Sequence, residues 1–90
     1  MSKTLFIANL PFSLNEEGLR NLFETAGPVV SVRIALDRET RRPRGFGFVE
    51  FESSDDAEVA LREFSGRRVG NRELVVNEAQ VQKLSGGARR

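Results

Sequence analysis

The stretch Arg44-Gly45-Phe46-Gly47-Phe48-Val49-Glu50-Phe51 decides how this 90-residue chain is read, because aromatic residues alternate with glycines directly after a basic loop. Such alternation is strand geometry. Successive side chains point to opposite faces, so Phe46, Phe48 and Glu50 share one face, while Val49 and Phe51 share the other with both glycines. A face that shows two rings beside a carboxylate is not patterned as core. Aromatic rings exposed next to arginines form a surface on which unpaired bases stack.

The same stretch matches the longer RNP motif of the RNA-recognition-motif family at all seven defined positions, a coincidence expected on the order of 10⁻⁸ per starting position. Upstream, Leu5-Phe6-Ile7-Ala8-Asn9-Leu10 resembles the family's shorter RNP hexapeptide, at the spacing the family uses. The chain thus resembles a stand-alone RNA-recognition motif from about Lys3 to Ala79, with residues 1–79 as the motif and 80–90 as a short, polar, flexible tail. It is similar to the small single-motif proteins of bacteria, including cyanobacteria, and to single motifs of plant organelle and nuclear RNA-binding proteins. A whole small bacterial protein is expected from Met1 to Arg90.

Composition narrows the function classes. A chain of this length buries about 60–65% of its unfolded surface and supports one core. With 39% hydrophobic residues and seven Phe, that core is adequate without a disulfide. The chain has neither Cys nor His, which removes the usual zinc ligands, the thiol nucleophile and the commonest general base. No catalysis, cofactor or small-molecule substrate is expected. No stretch approaches the roughly 20 apolar residues of a membrane span, and the N-terminus carries no signal-peptide pattern, so a cytoplasmic protein is expected. The net charge of +1 is small for a nucleic-acid binder. Arg38, Arg41, Arg42 and Arg44 cluster before the aromatic strand, whereas the acids gather in two helical segments.

The pass along the chain yields β-α-β-β-α-β. Thr4 to Ala8 alternates as a first strand. Ser13 and Glu16 form a capping-box pattern before a helix expected over Leu14 to Ala26, which Gly27-Pro28 stops and Gly18 weakens. Val29 to Leu36 is β-branched and alternating, Gly45 to Phe51 is the third strand, and Ser53 or Ser54 caps a helix ended by Ser65-Gly66. Gly70-Asn71 turns into a last strand with Leu74 and Val76 inward and Val75 and Asn77 outward. The pattern is α+β, the ferredoxin-like arrangement of a four-stranded antiparallel sheet with both helices on one face. The other face stays open, and Phe23, Phe51 and Phe64 are assigned to the core.

The resemblance implies that Phe6 and Phe48 each stack one base, that Phe46 packs against the intervening sugars and that Arg44 reaches a phosphate. Polar groups around this platform are the expected source of specificity: Lys3, Thr4, Arg33, Glu50, Asn77, Glu78 and Gln80. Asn9 matches a motif position and reads equally as a turn residue bonded to its own backbone. Arg41 and Arg42 belong to a loop placed to close over a bound strand. Arg41 stands where the family commonly has glycine, and Asn71 replaces a frequent glycine, though Asn tolerates left-handed backbone. Glu16-Glu17 and Asp55-Asp56 sit in first helical turns, where the helix dipole favours acids. Val81 and Leu84 could form a helical turn over the sheet, but a frayed end is expected. The function expected is a monomeric module holding two to four nucleotides of single-stranded RNA, or of single-stranded DNA, with peptide binding through the same fold as the alternative.

Overall fold

A computed structural model describes residues 2–79. Its elements are β1 (Thr4–Ala8), α1 (Glu16–Phe23), β2 (Val29–Leu36), β3 (Pro43–Phe51), α2 (Ser54–Phe64), β4 (Arg68–Val69), β5 (Arg72–Glu73) and β6 (Val75–Glu78). Four strands form an antiparallel sheet in the order β2-β3-β1-β6, the expected ferredoxin-like topology, and β4 and β5 pair as a separate small hairpin. That hairpin was not expected. Its turn takes its left-handed residue from Gly70, with φ 63°, so Asn71 is not asked to supply one.

Alternation sorts the side chains as anticipated. Leu5, Ile7, Val49 and Phe51 point to the helices and are fully buried, together with Leu19 and Phe23 of α1 and Ala57, Ala60 and Phe64 of α2. Phe23 lies at the centre, its ring centroid 4.3 Å from that of Phe64 and 6.4 Å from that of Phe51. Leu74 and Val76 close the core from the other side. Among the described residues every buried side chain is apolar.

Two expectations about α1 change. The helix covers Glu16–Phe23 rather than Leu14 to Ala26, and Asn15, not Ser13, caps it by accepting the Gly18 backbone N–H at 2.8 Å. Glu16 does not complete a capping box; its carboxylate accepts the Ile34 N–H at 3.0 Å, satisfying a donor on the edge strand β2. Gly18 therefore sits in a capped first turn, where its cost is smaller than in a helix interior. For α2 the expected cap holds, Ser53 Oγ accepting the Asp56 N–H at 3.1 Å.

Gly47 shows why the aromatic strand needs a glycine on its inner face. It lies between Ile7 of β1 and Ile34 of β2, and a Cβ there would overlap the Arg33 carbonyl oxygen and come within 3.1 Å of Ile34 Cα. Both neighbours are backbone, so β2 would have to move away from β3. Gly47→Ala is expected to destabilise the fold by about 1–3 kcal/mol, lowering Tm by roughly 5–20 °C in a thermal melt followed by circular dichroism. Gly45 has a different reason: at φ 93° it holds backbone that L side chains rarely adopt, where the chain turns into the regular part of β3.

Candidate nucleic-acid interface

On the face away from the helices, the β1·β3 register sets Phe6 opposite Phe48 and Ala8 opposite Phe46. Directly paired residues point the same way, so three rings converge. Phe6 lies 5.6 Å from Phe48 and 5.7 Å from Phe46, centroid to centroid, with tilted planes. All three rings are half-buried, which leaves them anchored by their neighbours yet open to solvent on the sheet surface. Arg44 lies two residues before Phe46, with its guanidinium carbon 5.7 Å from that ring's centroid.

The β2 and β6 edges frame the rings. Arg33 is in register with Phe48, and Asn77 is in register with Phe6, so both stand on the aromatic face. Thr4 and Ser31 flank Glu50 from either side, and the Ser31 hydroxyl donates to Glu50 Oε1 at 3.2 Å. Thr4, Ser31, Arg33, Phe48 and Glu50 line a depression of about 340 Å³. Lys3 is exposed just before β1. Two residues not named as site candidates also belong to this face: Ser31, readable from its outward place in β2, and Val75, expected outward, which pairs with Ala8 and is 46% exposed.

Two candidates stand elsewhere. Glu78 is in register with the buried Leu5, not with a ring, and its carboxylate accepts the Ser2 backbone N–H. Asn9, at φ 61°, ends β1, and its amide is engaged at both ends: Nδ2 donates to the Glu73 carbonyl at 2.8 Å, and Oδ1 accepts from Arg72 Nη1 at 2.9 Å. The backbone it bonds is therefore not its own but that of the β4–β5 hairpin. Arg72 in turn lies 4.9 Å over the Phe12 ring. Gln80 and the tail residues Val81 and Leu84 lie outside the described residues.

The arginine loop is a built turn. Asp37 Oδ1 accepts the backbone N–H groups of Glu39 at 2.8 Å and Thr40 at 3.1 Å, and these bonds, that of Thr40 foremost, hold its carboxyl below the ordinary value, with Arg44 adding to the effect. Arg41 takes φ 64°, which explains why glycine suits the position and costs a non-glycine residue about 1–2 kcal/mol. The Arg41 and Arg42 side chains are exposed and form no ion pair among the described residues.

A larger depression of about 450 Å³ lies away from the rings, where Phe12, Leu14, Ile34 and Leu36 meet the first turn of α1. Glu16 and Glu17 stand on its rim, which disfavours phosphate. No helix among the described residues is long and apolar enough to cross a membrane.

Comparison with known proteins agrees with this geometry. The family model described as RNA recognition motif matches residues 5–75. Human cleavage stimulation factor subunit 2 is 40% identical over 81 residues, which cover 90% of this chain but only 14% of that protein. The chloroplastic small RNA-binding protein 11 of Arabidopsis thaliana is 40% identical over 87 residues, covering 97% of this chain and 60% of its own length. Among solved structures, the RNA15 RRM with bound RNA superposes with a TM-score of 0.82 at 25% identity, over 94% of each chain. Motif, sheet order and matched relatives agree: the chain belongs to the RNA recognition motif family.

Proposed function

We propose that this protein binds single-stranded RNA on its open sheet face, stacking two to four nucleotides without catalysing any reaction on them. The observation that carries this reading is the cluster of Phe6, Phe46 and Phe48, with neighbouring centroids 5.6 and 5.7 Å apart, on the sheet face opposite the helices. Bases stack on such rings because each has an apolar π face, and burying it against an aromatic is favourable whatever the base. Phe6 and Phe48 each take a base, Phe46 contacts the sugars between them, and Arg44, Lys3 and the loop residues Arg41 and Arg42 meet phosphates. Asn77 and Thr4 stand beside the stacked bases as polar partners. Residues 1–79 form the binding module. The two sequence relatives named above are a human and an Arabidopsis thaliana protein, the latter chloroplastic, so they do not carry the expected likeness to bacterial proteins or the expected cytoplasmic location.

Charge and geometry together set the binding regime. With a net charge of +1, phosphate neutralisation supplies a minor share of the affinity. Fluorescence anisotropy of a labelled random single-stranded RNA pool, titrated at several salt concentrations, tests both points. Binding is expected with a slope of log Kobs on log salt of about −1.4 to −2.1, the release from two or three phosphates of a single strand. A much steeper slope would place the main site on the arginine loop and the tail. No binding at any salt would refute the RNA reading and leave peptide recognition to be pursued.

A further inference from the structure

The 340 Å³ depression beside Phe48 is bounded by one cation and one anion, arranged at different sides of the same ring. Arg33 approaches from across the sheet, because it is the register partner of Phe48 on β2. Glu50 approaches along the strand, two residues further on β3 and on the same face. Among the described residues the Arg33 guanidinium forms no ion pair and no hydrogen bond with a side chain. Glu50 is steadied by the Ser31 hydroxyl on Oε1, which leaves Oε2 and a further lone pair on Oε1 to accept from a ligand. A base lying on Phe48 therefore meets a pure donor at one edge and a pure acceptor at the neighbouring edge.

We infer that this depression selects guanine as the base stacked on Phe48, with Glu50 and Arg33 as the residues that read it; the inference rests on the RNA-binding reading above. Guanine is the base whose two adjacent edges carry this polarity. Its O6 and N7 accept from an arginine fork, and its N1–H and N2–H₂ donate side by side to the two oxygens of a carboxylate. Adenine keeps the N7 acceptor but sets its N6–H₂ where guanine has O6, against the guanidinium, and its unprotonated N1 faces the carboxylate. Cytosine carries its donor and its acceptors along a single edge, whereas Arg33 and Glu50 reach Phe48 from two directions. Uracil offers one N–H between two carbonyls, so its O2 would stand against the carboxylate where guanine has the N2 amine, and it lacks a second acceptor beside O4 for the arginine fork. Thr4, on the far side of Glu50, offers a hydroxyl to whichever group the base leaves unpaired.

The test uses the whole 90-residue protein and labelled seven-nucleotide RNAs: all adenosine, or adenosine with one central guanosine or inosine. Inosine is guanosine without the N2 amine. The expected result is about tenfold tighter binding of the guanosine RNA than of the all-adenosine RNA, an intermediate affinity for inosine, and a guanosine preference reduced to about twofold or less in Glu50→Gln. Because the inosine comparison is made on the wild-type protein, it decides the role of the donor pair whether or not the variant folds. Equal binding of all three RNAs, still abolished by loss of the Phe48 ring, would overturn guanine selection and leave RNA binding standing. A guanosine preference that persists undiminished in a folded Glu50→Gln would overturn the assignment to Glu50. Absence of binding to every RNA would overturn both this inference and the reading on which it rests.

Discussion

Replacing both Phe46 and Phe48 by alanine is expected to lower the affinity for single-stranded RNA at least tenfold while the protein stays folded. Each base stacked on an aromatic ring contributes about 1–3 kcal/mol, and under the proposed function the double variant removes one stacking ring and the ring that packs against the adjoining sugars. The fold tolerates the loss because both rings lie on the sheet face opposite the core and are only half-buried against each other's neighbour, Phe6. Anisotropy titration of wild type and variant, with circular dichroism spectra recorded on both, separates lost binding from lost structure. Unchanged affinity in a folded variant would move the site to Arg41, Arg42, Arg44 and the tail. Removing residues 80–90 is expected to cost less affinity than Phe48→Ala alone, since it takes away the polar group of Gln80 and the charges of Lys83, Arg89 and Arg90, which salt screens, but no stacking ring.

The second large effect falls on stability. Phe23→Ala removes a fully buried ring that packs 4.3 Å from Phe64 and 6.4 Å from Phe51, centroid to centroid. It bridges α1, α2 and the inner face of β3, so no single neighbour can shift to fill the space. The lost transfer energy and the remaining cavity together cost about 3–5 kcal/mol. Against a total stability of about 5–15 kcal/mol, that loss shifts the urea midpoint far to lower denaturant and leaves a measurable unfolded fraction at 37 °C. Phe48→Ala, on the opposite face of the same strand, is expected to move the midpoint little. A small shift for Phe23→Ala would mean that the helices pack more loosely than the contacts between these rings imply.

Which of these two roles a phenylalanine takes was legible along β3 because the period of a strand is two residues. Glu50 marks the outward face and Gly47, Val49 and Phe51 the inward one, and from Phe46 to Phe51 the structure follows that division, whereas Gly45, at φ 93°, stands outside the alternation. The bounds of β1 and β2, the Ser53 cap and the inward Leu74 and Val76 followed from equally local signals. The start of α1 did not. Ser13 and Glu16 have the spacing of a capping box, but the Glu16 carboxylate gains more by satisfying the Ile34 N–H on an open sheet edge, and Asn15 then caps the helix two residues later. Local rules cannot see an edge donor 18 residues away in sequence.

Asn9 makes the same point for the site. Its motif position was plain, but its partners, Glu73 and Arg72, lie more than sixty residues away on a hairpin of which the sequence showed only the Gly70-Asn71 turn. Glu78 was placed with the site from its position near the end of the last strand, whereas the register with Leu5 turns it away from the rings. By itself, then, the sequence determined the β-α-β-β-α-β order of the main elements, the division of each main strand into an inner and an outer face, and the presence of an aromatic platform, because all three depend on backbone periodicity and short-range chemistry. Tertiary structure alone decided which strands are neighbours and in what register. That pairing brought Phe6 to Phe48, set Arg33 and Glu50 around one ring, and tied Asn9 to the hairpin, since contacts between distant segments are chosen by the packing of the whole core.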